Sequence, residues 1–457
     1  MLVGTWAAFW AVLAPGALGP APPSQLVSPP AALSPLAAAA PADDRDSAPT
    51  LSLADCLAYA MAHQPALAAE QARLAQGQAL VAQAKAPRAV ALNGSAAAVW
   101  WDKLSQQTAR LAGTSHLDTS VGLSMSYRLY SGGRWVWRER AATLGLSAEG
   151  HQAERVAQQT LSAVTRAFGD LWLAEQVVRA REALVRQTEA HRDLAQQRAA
   201  LGKVAQVETL RAEVSVATAR DAARRAGQSR RTAQLRLNEA LGRTTGAPLP
   251  PPEMLPQLAP PTIPATEVWR QHPEWQRLST LVSQTAAQVE AAKADRGPEV
   301  FAQANATAIG LTDFSPGNNW SAGLEVRLPI LDGGRLKALV DQARASHALA
   351  VAQVESLRQS IVAEASEAQS AMADAMARRA DLSATQALAE QALSITEERY
   401  RVGSAMPLEV IDAQTALLDV RLAIYAAEVD VYQATVRLGL ALGQRLAPET
   451  SGENLGE

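Results

Sequence analysis

GLSMSYRLYSGGRWVWRERAA (Gly122–Ala142) and GLEVRLPILDGGRLKALVDQA (Gly323–Ala343) are one pattern written twice, 201 residues apart. Each copy runs from an alternating stretch into a glycine pair and then into a charged, Ala-rich stretch. The offset persists downstream. Gly133 matches Gly334, LGKVAQVETL from Leu201 matches VGSAMPLEVI from Val402, and Leu241-Gly242 matches Leu442-Gly443. Upstream, Pro65 and Lys85 match Pro273 and Lys293 at an offset of 208. A shared offset over so much chain is an internal duplication, and it overrides a domain count based on length.

The alternation before the first glycine pair has a strict period of two. Leu117, Thr119, Val121, Leu123, Met125, Tyr127 and Leu129 share one face, and Asp118, Ser120, Gly122, Ser124, Ser126 and Arg128 the other. The second copy sets Trp320, Ala322, Leu324, Val326 and Leu328 against Ser321, Gly323, Glu325 and Arg327. A half-buried strand of a soluble sheet would alternate in this way, and so would a membrane strand with lipid outside and water inside. Each strand has a weaker Ala-, Asn- and Gly-containing partner before it, near 88–101 and 298–311. Trp100, Trp101 and Trp320 suit a membrane interface. Four strands leave open edges, which lipid does not tolerate, so in a membrane several chains must pool them. Three chains give twelve strands.

No proline or turn cluster interrupts the chain from Gly133 to Gly202 or from Gly334 to Gly403. At about 1.5 Å per residue these intervals predict helices roughly 100 Å long. Leu336, Val340, Ala343, His347, Ala350, Val354, Leu357 and Ile361 follow steps of four and three, a coiled-coil spacing with small contacts. His347 reads as a residue of that seam. At Gly202 and Gly403 the chain turns, and a shorter helix returns to Gly242 and Gly443. Helices before the strands, near 66–86 and 274–295, would complete the flank of each long one. Gly132, Gly133, Gly333 and Gly334 are then elbows where strand becomes helix, with φ > 0 expected.

The net charge of −3 gives no sign of a nucleic-acid partner, and the single cysteine, Cys56, excludes an internal disulfide framework. HExxH, GxxxxGK and GxSxG are all missing, so neither enzyme chemistry nor a cofactor is expected. The expected organisation is a signal peptide at 1–20 without a basic start, a Pro/Ala-rich linker at 21–50 and a first repeat at 51–243. A Pro-rich linker at 244–264, a second repeat at 265–443 and a tail at 444–457 follow. No cysteine stands where a lipid anchor would attach.

LSLADCLAYAMAHQPAL at the start, Pro329 with LDGGR at the second elbow, ERYRVGSAMPLEVIDAQTALLDVR at the second turn, and the duplication together resemble the TolC-like outer membrane factor family. The resemblance spans about residues 51–443. It implies a mainly α fold with a membrane β-hairpin pair: a homotrimer with a twelve-stranded barrel in the outer membrane, continued by a long α-helical barrel through the periplasm. The implied partners are outer membrane lipid, a periplasmic adaptor and an inner-membrane ABC transporter or other pump. The turns Leu201, Gly202, Lys203 and Val402, Gly403, Ser404 would dock the adaptor. The family's gate acids match Glu409 and Asp412, and the tyrosine that ties the closed tip matches Tyr400. The arginine usual near that tip matches Ala405. The first copy carries Glu208 and Arg211 instead, so the two tips are not interchangeable.

The function expected is an export duct for protein, such as a toxin in type I secretion, or for small molecules. The missing lipidation cysteine leans toward protein secretion, and drug or metal efflux is the alternative. A soluble periplasmic coiled-coil adaptor or a structural coiled coil explains less, because neither needs the duplication or the alternating strands.

Overall fold

The duplication reaches into the backbone angles. Gly132 and Gly133 have φ of 61° and 84°, and Gly333 and Gly334 have 65° and 87°. Both pairs occupy the left-handed region that side chains avoid. The elbows are therefore the same turn built twice.

A computed structural model describes residues 51–100, 117–201, 205–256, 258, 261, 267–309, 317–402 and 404–444. They all lie in a single unit, Pro49–Glu457. The first repeat runs α1 (Leu53–His63), α2 (Pro65–Lys85), β1 (Ala91–Trp100), β2 (Leu117–Tyr130), α3 (Arg134–Ala200) and α4 (Gln206–Leu241). The second runs α5 (Pro273–Ala294), β3 (Glu299–Ile309), β4 (Gly317–Arg327), α6 (Arg335–Arg401) and α7 (Pro407–Ala441). Both long helices have 67 residues. The expected signal peptide, the first linker and the tail beyond Gln444 lie outside the described residues, as do Trp101, Gly202, Lys203 and Gly403.

The four strands form one antiparallel sheet in the order β1-β2-β3-β4. The expected pairing within each copy holds, and β2 with β3 joins the two copies. The strands differ in length at the elbow ends. β2 continues to Tyr130, whereas β4 stops at Arg327. Pro329 stands where the first copy has Arg128, and a proline offers no N–H to a ladder. The residues after β4 are consequently bare: Ile330 is 90 % and Leu331 94 % exposed.

The outward face of the sheet keeps its apolar side chains exposed, including Val121, Leu123, Met125, Tyr127, Leu324 and Val326. Water does not favour such a face, and lipid does. Among the described residues no helix is long and apolar enough to cross a membrane.

Each long helix is flanked as expected by two short ones: α2 and α4 along α3, and α5 and α7 along α6. The second pair also packs on α3, which lies between the two sets. Among the described residues α6 has no second set, and the consequence is visible in its burial. α3 buries Phe168, Leu171, Trp172 and eleven further residues, whereas α6 buries five. His347 sits in the α5–α6 seam with its Nδ1 3.2 Å from Thr285 Oγ1.

The main apolar core lies partway along α3. Leu53, Cys56 and Ala60 of α1, Val164, Phe168 and Leu171 of α3, Leu237 and Leu241 of α4, and Tyr432 of α7 meet there. The 244–264 linker contributes Leu249 to the same core. It also docks beside the start of the first repeat, with Leu51 N–H donating to Pro251 O at 3.0 Å and Glu253 N–H to Leu51 O at 3.0 Å. Burial pushes the Cys56 thiol up to about 12, aided by Asp55, so it stays protonated and inert.

Candidate functional site

The turn between α6 and α7 is built by a small set of polar contacts. Val402 N–H donates to Glu398 O at 3.2 Å, ending α6. Ser404 then returns to the helix, its N–H and Oγ both donating to Arg399 O at 2.8 and 3.1 Å. Pro407 takes the first position of α7, where its missing N–H costs nothing. Glu409, at the third, accepts the N–H of Met406 on Oε1 at 3.1 Å. That is the reach-back half of a capping box.

Glu409 is engaged a second time. Its Oε2 lies 3.4 Å from Arg399 Nη1, both side chains being about half exposed. It is therefore a cap and an ion-pair partner in addition to the carboxylate the sequence pointed to. Asp412, one turn further on the same face, is exposed and has no ion-pair partner among the described residues.

Tyr400 faces the other half of the chain. Arg198, near the end of α3, donates from Nη1 to its hydroxyl at 2.6 Å, and the guanidinium carbon lies 5.5 Å from the ring centroid. Arg198 is the first-copy counterpart of Arg399. Equivalent arginines thus do different work. Arg399 stays within its own hairpin on Glu409. Arg198 crosses to Tyr400, because Glu208, the counterpart of Glu409, is already paired with Arg211 at 3.0 Å. Position 405 is alanine, and the guanidinium that meets Tyr400 comes from Arg198 of the other hairpin. The sequence signal for it was the duplication, which marks Arg198 and Arg399 as a matched pair.

Behind the tips both hairpins share a staple. Glu189 of α3 meets Arg220 of α4 at 2.6 Å, and their counterparts Glu390 and Arg421 meet at 3.0 Å. The pairs are exposed and join a long helix to its return helix. Arg421 and Gln386 hold the Glu390 carboxylate below the usual range, Gln386 having the larger effect.

The elbows differ in their surroundings. At the first, Arg134 pairs with Asp295 at 3.0 Å and with Glu299, and Arg138 also reaches Asp295 at 3.2 Å. Burial lowers the Arg134 pKa, and Asp295 opposes this. A β-carbon on Gly132 would stand 3.4 Å from Ala294 O, so this elbow rests on the second repeat. At the second elbow nothing lies within 4 Å of a β-carbon on Gly333 or Gly334. Asp332 instead caps α6, accepting from Gly334 N–H at 3.0 Å and Leu336 N–H at 2.7 Å. Those two backbone donors, Leu336 first, hold its carboxyl low. What covers the first elbow is a piece of the second repeat, and the second elbow has no such cover among the described residues.

This architecture, two copies of strand hairpin, long helix and return helix, defines an outer-membrane channel protein. The family model described as outer membrane efflux protein matches residues 57–243 and 268–444, and the chain belongs to that family. It is similar to the outer membrane efflux protein BepC of Brucella suis, 26 % identical over 339 residues that cover 72 % of this chain and 73 % of BepC. Its fold is similar to the crystal structure of CusC, with a TM-score of 0.75 at 19 % identity over 86 % of this chain and 92 % of that one. The outer membrane protein VceC of Vibrio cholerae gives 0.72 at 22 % identity, over 86 % and 96 %. The protein is an outer-membrane transport protein and not an enzyme.

Proposed function

We propose that this chain works as a homotrimeric duct of a tripartite export assembly, with lipid around its barrel, a periplasmic adaptor at its helical tips and a pump in the inner membrane. The observation that carries this reading is the sheet. Its four strands have an exposed apolar outer face, and among the described residues β1 and β4 are the edges of the sheet. Joining β4 of one copy to β1 of the next closes twelve strands and leaves no edge. The same step would give α6 the second flank that α3 finds within its own chain.

Efflux is the kind of transport its similarity to BepC supports, and small molecules are the cargo this reading assigns. Secretion of a protein through the same duct is the finer reading that the sequence first suggested, and it would use the same trimer with a different pump. At the periplasmic end, Glu409 and Asp412 from three chains would form the narrow carboxylate ring. Tyr400 with Arg198 would hold neighbouring hairpins together. Leu201–Lys203 and Val402–Ser404 would meet the adaptor.

Purified protein in mild detergent should crosslink to a three-chain ladder and conduct ions in planar bilayers. A monodisperse monomer that conducts would overturn the trimeric duct. Expression in a host lacking its own export channel, followed by drug susceptibility and by assay of secreted protein, separates the two cargo classes.

A further inference from the structure

We propose that the barrel's inner mouth carries a cationic belt that binds anionic solutes, built on Arg128, Phe301 and Arg327. This rests on the trimeric barrel reading above. Charged side chains are scarce on the sheet. Among the side chains described there, they are Arg128, Glu299, Glu325 and Arg327, all on the inward-facing parity and all at the end beside the elbows. Apart from Asp118 at the far end of β2, the rest of that face is neutral: Asn93, Ser124, Ser126, Gln303, Asn305 and Ser321 are typical. A passive water-filled wall needs only such groups, so the concentration of charge at one level calls for its own account.

The register sets Arg128, Phe301 and Glu325 side by side on three adjacent strands, and Arg327 lies two residues beyond Glu325. The two guanidinium carbons lie 5.1 Å and 5.2 Å from the Phe301 ring centroid. Each is within cation–π range. Phe301 is only 8 % exposed even in the single chain, so the ring is a covered platform that holds the two arginines.

The four charges sum to zero, but they are not paired evenly. Glu325 accepts from Arg327 Nε at 2.6 Å and is also bonded by Gln303, so this carboxylate serves Arg327. Glu299 is taken by Arg134. Arg128 has no carboxylate partner among the described residues, and its buried Nε has no acceptor. Arg128 is thus the guanidinium of this level left without a carboxylate, and three would face each other across the barrel. A planar guanidinium with free N–H groups suits carboxylate, phosphate or sulfonate oxygens. The belt would give the duct a selectivity opposite in sign to the carboxylates of its far tip.

The test uses the full-length protein in planar bilayers at low salt, with pyrophosphate as the probe. Wild type should be blocked by pyrophosphate. Arg128→Gln should raise the half-blocking concentration on the order of tenfold and shift the reversal potential toward cations, while Arg128→Lys should retain most of the block. In an Arg128→Cys variant, a trimethylammonium-bearing methanethiosulfonate should restore the block, and a sulfonate-bearing one should abolish what remains. Cys56 is buried at 2 % exposure and does not compete. If conducting Arg128→Gln channels keep wild-type block and reversal potential, or if both thiol reagents act alike, the belt is refuted and the duct stands. If wild type makes no channel, the duct reading fails and the belt with it.

Discussion

Arg198 and Tyr400 are 202 residues apart, and the guanidinium of one donates to the hydroxyl of the other at 2.6 Å. This is a direct tie between the end of α3 and the end of α6, the two long helices that the duplication made alike. A hydrogen bond from a charged donor contributes about 2 kcal/mol when its surroundings are dry and less at a half-exposed tip. Tyr400→Phe removes the acceptor and keeps the ring. It should raise resting conductance in single-channel recordings and leave ion selectivity unchanged. Arg198→Ala should do the same more strongly, since it also removes the stack. Wild-type closure in both variants would mean that the tie is incidental.

Glu409 and Asp412 test a separate property of the same tip. Unit charges about 8 Å apart at an effective dielectric of roughly 20 interact by about 2 kcal/mol, and salt weakens this. Glu409→Gln with Asp412→Asn should therefore lower cation selectivity and block by multivalent cations. A glutamine can still accept from Met406 N–H, so the α7 cap survives and resting conductance should stay low. Full cation selectivity in the double variant would reduce these acids to a solvated helix face.

The elbow glycines should be intolerant of branching. Gly133 at φ 84° and Gly334 at φ 87° lie where a side chain costs about 1–2 kcal/mol. Gly133→Val and Gly334→Val should each reduce the yield of heat-sensitive oligomer recovered from outer membranes. Gly132→Ala and Gly333→Ala should lower the yield by similar amounts, because both sit at φ > 0 and a β-carbon on Gly132 would meet Ala294 O at an ordinary contact distance of 3.4 Å. A much larger loss for one of them would show that packing, and not backbone strain, decides the effect.

His272 gives a pH dependence. It caps α5 by accepting Glu274 N–H on Nδ1 at 3.2 Å. Burial is the main cause that lowers its pKa; Arg155 adds to this and Glu274 opposes it. The folded state therefore keeps the ring neutral after the unfolded chain has begun to protonate near 6.5. Stability should be level above that pH and fall as pH drops through 6.5 toward the depressed folded value. His272→Asn keeps a capping acceptor and removes the titration. Thermal unfolding between about pH 7.5 and pH 5 should show a smaller acid loss in the variant than in wild type. Parallel losses would place the acid sensitivity elsewhere.

The sequence by itself determined the repeated plan. Glycine pairs, period-two strands and proline-free intervals are local signals, and local sterics enforce them. That is why the elbows, the two 67-residue helices and the strand pairing inside each copy were legible. The early end of β4 was legible in principle too, since Pro329 replaces Arg128 in the duplicated frame. Only the tertiary structure decided which of two equivalent residues does which task. Arg198 and Arg399 occupy matching positions, yet one crosses to Tyr400 and the other pairs with Glu409. Gly132 is covered and Gly333 is bare. The reason is physical: a side chain's partner is set by what the packed helices bring within about 3 Å, and a duplicated sequence cannot encode the different neighbours its two copies meet.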